Sequence, residues 1–160
     1  MKTLPLALTA LVVLSTPVAA EPDNPGAATR MVSEGYVRTP GSPTDRRLVG
    51  LTDRAAEWNG DPIWKLLIYC AAMHTARRDL LKSSGSPDQL VEEQDRLATR
   101  FAGLGAVRFG TDRGVPGETT IGAITAENAY WTFFFKARSF SYATESRTCR
   151  EAEARDRRGR

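Results

Sequence analysis

"DPIWKLLIYCAAMHTARRDLLK", residues 61–82, decides the fold. Asp61 followed by Pro62 is a helix start, with an aspartate at the cap and a proline at the first helical position, where no N–H is needed. Viewed at 100° per residue, Ile63, Leu66, Leu67, Cys70, His74 and Leu81 fall on one face, with Met73 at its edge. That pattern predicts a helix over 62–82. Its apolar face has to be covered by other elements, so the flanking sequence should supply further helices.

The same stretch poses a chemical question. Cys70, Met73 and His74 sit at spacings of three and four, within one helical turn, and a thiolate, a thioether and an imidazole together suit copper or haem iron. The inventory opposes a metal site. Cys149 is the only other cysteine and His74 the only histidine, and the Cys-x-x-Cys-His run of an attached haem is absent. No cofactor is expected. In an oxidising compartment two lone cysteines pair, so the expectation is a Cys70–Cys149 disulfide pinning a C-terminal helix to the 62–82 helix. His74 then becomes a neutral, hydrogen-bonded ring at the edge of the core, with Arg77 and Arg78 disfavouring its protonation.

An oxidising compartment is indicated at the other end of the chain. "MKTLPLALTALVVLSTPVAA", residues 1–20, has a lysine, an apolar run from Leu4 to Leu14, and small residues before Glu21. That is the grammar of a secretory signal peptide, and the run falls short of the roughly 20 residues of a permanent span. Export to the periplasm or outside the cell, with no integral membrane span after cleavage, is the expectation. Loss of Lys2 leaves 21 basic against 19 acidic residues, too slight an excess for a nucleic-acid partner. Residues 21–47 hold four prolines and three glycines among few large apolar side chains, and are expected to form a disordered N-terminal arm.

A helical domain is expected over 48–150. Leu48, Leu51, Ala55 and Trp58 recur at helical spacing before Asn59-Gly60. After the stop at residues 83–86, Ser86 and Gln89 match a capping box, and Leu90, Gln94, Leu97, Phe101 and Leu104 continue a stripe until Gly103 and Gly105 loosen it. Glu92, Glu93 and Asp95 lie off that stripe and read as a solvated face. From 106 to 124 the period is lost among glycines 110, 114, 117 and 122, which predicts a long irregular loop with a possible small hairpin, and a candidate binding surface. A last helix from Thr125 past Cys149 carries seven of the thirteen aromatic residues. Tyr130, Phe133, Phe134, Ala137 and Phe140 form one stripe, and Trp131, Phe135 and Tyr142 another, so this helix is expected at the centre. Residues 151–160 should fade into a solvated basic tail.

The whole reads as an all-α protein, a compact bundle of about four helices. No nucleophile elbow, His-Glu-x-x-His pair or phosphate-binding loop is present. The expected activity is therefore non-enzymatic: binding of another macromolecule, or a structural role, in the cell envelope. The alternative is binding of a small apolar ligand or cofactor, with His74, Trp131, Phe135 and Tyr142 as contacts. A carboxylate enzyme built on Glu57, Asp61 or Glu127 is the third reading.

Overall fold

The computed structural model describes residues 38–158, and the expectations for the leader, for residues 21–37 of the arm and for the last two residues lie outside that range. The chain is all-α among the described residues. A short 3-10 helix, η1 (Asp53–Trp58), precedes α1 (Ile63–Ser83), α2 (Asp88–Arg113), α3 (Gly117–Ala137) and α4 (Tyr142–Arg158).

The central helix is α1, and not the aromatic one expected from the sequence. Every residue from Ile63 to His74 is buried, because α2, α3 and α4 all pack on α1 and leave it no free side. The interior of the bundle joins Leu66, Leu67, Tyr69, Cys70 and Met73 of α1 to Phe101, Trp131, Phe134 and Phe135. A smaller cluster, Trp64, Ile68, Phe109 and Ile124, fills the other end of the α1–α2–α3 contact. Cys70 and Cys149 are bonded, with their Cα atoms 5.6 Å apart, which ties α4 to the middle of α1 as expected.

The first expected helix is instead a pinned loop. Leu48, Leu51, Ala55 and Trp58 are all buried, so their burial was legible, but the backbone follows another course. Leu48 N–H donates to the Asp61 carbonyl and Gly60 N–H to the Leu48 carbonyl, both at 2.8 Å. Gly50 takes a left-handed φ of 64°, and the Asn59 side-chain amide brackets Leu51 through both its N–H and its carbonyl. Only η1 is left to turn helically. Upstream, residues 38–45 of the expected arm are anchored as a strap. Arg38 and Thr39 bond to Glu127, and the Asp45 carboxylate accepts two hydrogen bonds of 2.8 Å from Arg113.

Four further expectations are corrected. The long 106–124 loop does not exist. Helix α2 runs through Gly103 and Gly105 to Arg113, and α3 begins at Gly117 after a tight turn at Gly114, whose φ is 62°. Gly105 is helical because α1 crosses there: a Cβ on it would lie 2.5 Å from Ile68 Cδ1. The capping box is also unmade, since Ser86 Oγ turns to Ser84 Oγ at 3.0 Å. The single last helix is broken into α3 and α4, with Arg138 extended at φ −141°. Nor does the segment after Cys149 fade into solvent, because Ala152 and Asp156 are buried on α4.

Candidate functional site

Of the four side chains expected to contact a ligand or partner, three are interior. His74 is 3 % exposed. Its Nδ1 lies 2.8 Å from Gln94 Oε1, and its ring stacks on Phe101 at 5.5 Å. Burial pushes its pKa below the ordinary value, with the Gln94 hydrogen bond acting against that shift. Trp131 and Phe135 pack around Tyr69 at centroid distances of 5.0 and 4.8 Å, and Trp131 Nε1 donates to Glu127 at 3.0 Å. These rings form core, in the offset and edge-on arrangements that aromatic groups prefer. Met73 is fully buried, and Cys70 is committed to its disulfide. Among the described residues no three His, Cys, Asp or Glu side chains gather to hold a metal ion, and no helix is long and apolar enough to cross a membrane.

Tyr142, the fourth, is half-buried, packed edge-on to the His74 ring at 5.9 Å. It opens α4 where α3 has just ended, and with Phe140, the edge of Phe135 and Leu80 of α1 it floors a groove of about 640 Å³. The break between α3 and α4 creates this groove. The extended Arg138 separates α3 from α4 beside the last turn of α1, where Leu81 is buried but Leu80 stays 53 % exposed. Two guanidinium groups rim it. Arg77 lies over the Tyr142 ring at 5.3 Å and Arg138 over the Phe134 ring at 4.2 Å. Neither makes an ion pair among the described residues, whereas their neighbours do: Lys136 pairs with Asp79, and Arg78 with Asp79 and Asp95. The groove thus combines an apolar floor with unneutralised positive charge already oriented by ring faces, an arrangement that favours carboxylates beside bulky apolar groups.

The three carboxylates considered for catalysis are dispersed in role. Glu57 is exposed and 4.0 Å from Arg54. Glu127 is fully buried but saturated by donors, with Thr39 N–H at 2.8 Å, Trp131 Nε1 at 3.0 Å and Arg38 Nε at 3.3 Å, so it holds the strap. Asp61 sits at the start of α1, where burial raises its pKa and the nearby Lys65 opposes the rise. Lys65 itself is 7 % exposed, and burial lowers its pKa.

Sequence reasoning missed Arg77, Arg138 and Leu80. The signal was a pair of arginines one turn before Leu80, and a Lys-Ala-Arg run directly after the aromatic stretch, both readable as ordinary solvated charge. In comparisons with known proteins, the chain matches no family model, no curated protein and no solved structure.

Proposed function

We propose that this is an exported, non-enzymatic binding protein of the cell envelope, periplasmic or secreted, that captures another macromolecule in the groove between α1, α3 and α4. The observation that carries the reading is the pairing of an apolar floor, Leu80, Phe140 and Tyr142, with the guanidiniums of Arg77 and Arg138, which make no ion pair among the described residues. Its occupant is a peptide segment bearing large apolar side chains next to Asp or Glu. Leu80 and the rings exclude water from the apolar groups, and the arginines bind the carboxylates bidentately. Export is supported by the leader grammar of residues 1–20 and by the Cys70–Cys149 bond, which an oxidising compartment maintains.

Selection from a random peptide library on the oxidised protein tests the groove. Enriched sequences should place aromatic or branched apolar residues within two positions of an acid, and Arg77→Glu with Arg138→Glu should abolish their binding. Enriched sequences without acids, or equal binding to the charge-reversed variant, would refute it. N-terminal sequencing of the protein purified from its cell should begin at Glu21.

A further inference from the structure

A second groove, beside the first turn of α1, is lined by four arginines. The loop after the strap and the end of α4 face each other across about 470 Å³, with Arg46, Arg47, Arg155 and Arg158 around Leu48, Val49 and Ile63. The local backbone explains the arrangement. Leu48 points inward and is 1 % exposed, so its neighbour Val49 is turned out and is 67 % exposed, directly among the guanidiniums.

Three of the four guanidiniums on this face are anchored on backbone carbonyls. Arg47 donates to the Gly60 carbonyl at 3.1 Å and the Ser42 carbonyl at 2.9 Å. Arg158 donates to the Ala154 carbonyl at 3.3 Å, and Arg155 to the Gly50 carbonyl. Carboxylates are also near: Asp112 is 3.2 Å from Arg46, Glu151 is 3.9 Å from Arg155, and Asp61 interacts electrostatically with Arg47. Carbonyl anchors fix the guanidiniums of Arg47, Arg155 and Arg158 in place, and each retains N–H donors for another acceptor.

We propose that this face docks on an anionic phospholipid surface, with Arg47, Arg155 and Arg158 on headgroup phosphates and Val49 set among the glycerol esters. Guanidinium forks match phosphate oxygens, and an exposed apolar side chain at the apex of a basic ring gains from a half-wet interface that a dissolved anion does not offer. The contact is peripheral. Each basic side chain at such a surface multiplies binding about fivefold, so three of them account for a preference of roughly a hundredfold over a neutral surface.

Co-sedimentation of the protein purified from its cell tests this, using vesicles of phosphatidylglycerol mixed with phosphatidylcholine and vesicles of phosphatidylcholine alone, at about 0.1 M salt. The expected result is preferential binding to the anionic vesicles that disappears near 1 M salt. Arg158→Gln should weaken it about fivefold and Arg47→Gln with Arg158→Gln roughly 25-fold. Val49→Ser should weaken it severalfold at unchanged charge. Because Arg47 also braces the loop, Arg158→Gln and Val49→Ser are the variants that decide if the double variant misfolds. Arg77→Gln with Arg138→Gln removes the same charge from the other groove and should leave vesicle binding intact. Absence of preference for anionic vesicles, or equal losses in the two arginine pairs, overturns the proposal. So does competition by millimolar inorganic phosphate, an acidic peptide or an oligonucleotide, which would assign the face to a soluble anion.

Discussion

Arg108 of α2 and Asp156 of α4 meet as an ion pair enclosed by the bundle, with side-chain exposures of 7 % and 1 %. A second guanidinium nitrogen reaches the Asp156 backbone carbonyl at 2.9 Å, so the pair is fixed by two contacts. Removing one partner strands a buried charge, whereas replacing both with apolar groups does not. Asp156→Ala is expected to destabilise by about 3–5 kcal/mol in urea unfolding, and Arg108→Met with Asp156→Leu by much less. A small effect of Asp156→Ala would mean that water reaches Arg108.

The disulfide closes a span of 79 residues. The chain-entropy account gives roughly 4.5 kcal/mol for such a loop, as an upper guide. Cys70→Ala with Cys149→Ala, or reduction, should lower the melting temperature by about 10 °C in a scan at neutral pH. Retention of the oxidised melting temperature under reductant would show that packing alone holds α4.

Two glycines on α2 should respond oppositely to alanine. Nothing lies within 4 Å of a Cβ on Gly103, so Gly103→Ala should stabilise by about 0.5–1 kcal/mol through helix propensity. A Cβ on Gly105 would lie 2.5 Å from Ile68 Cδ1, 2.8 Å from its Cγ1 and 3.4 Å from the Trp64 carbonyl. Since Ile68 is itself fully buried, Gly105→Ala should destabilise by about 1–3 kcal/mol despite the better propensity. Chemical denaturation of both variants checks the sign.

His74 should make the fold sensitive to mild acid. Burial lowers its pKa in the native state below the ordinary 6.5, so the unfolded chain binds the proton first. Its contribution is complete above about pH 6.5 and is lost as pH falls toward the native pKa, so stability declines on acidification. His74→Gln, which cannot titrate, should flatten the slope of unfolding free energy between about pH 7 and 5.5. An unchanged slope would place the titration elsewhere.

The helix of residues 62–82 and the pairing of Cys70 with Cys149 were legible because each rests on a local or counting argument. A stripe at fixed spacing needs a helix, and two cysteines have one pairing. What escaped depends on neighbours. Gly105 reads as a helix end, but becomes a helix interior once Ile68 of α1 crosses it. The glycines and threonines of 117–122 are poor helix formers, yet Thr120 and Ile124 are buried and keep α3 helical from its start. Leu48 and Leu51 carry a helical period that the Asn59 amide and the Gly50 turn override. At the groove, Tyr142 was visible as an aromatic residue, while Arg77 and Arg138 acquire meaning only from the rings beneath them.

The loop around Gly50 and Thr52 is clasped by α4: Arg155 holds the Gly50 carbonyl, and Glu151 accepts from Thr52 N–H at 3.3 Å. Regions 99 and 105 residues apart in sequence therefore close on each other like the ends of a buckled belt. Local opening at either region releases the other, so the 50–52 backbone and the last turns of α4 should gain and lose hydrogen-exchange protection together.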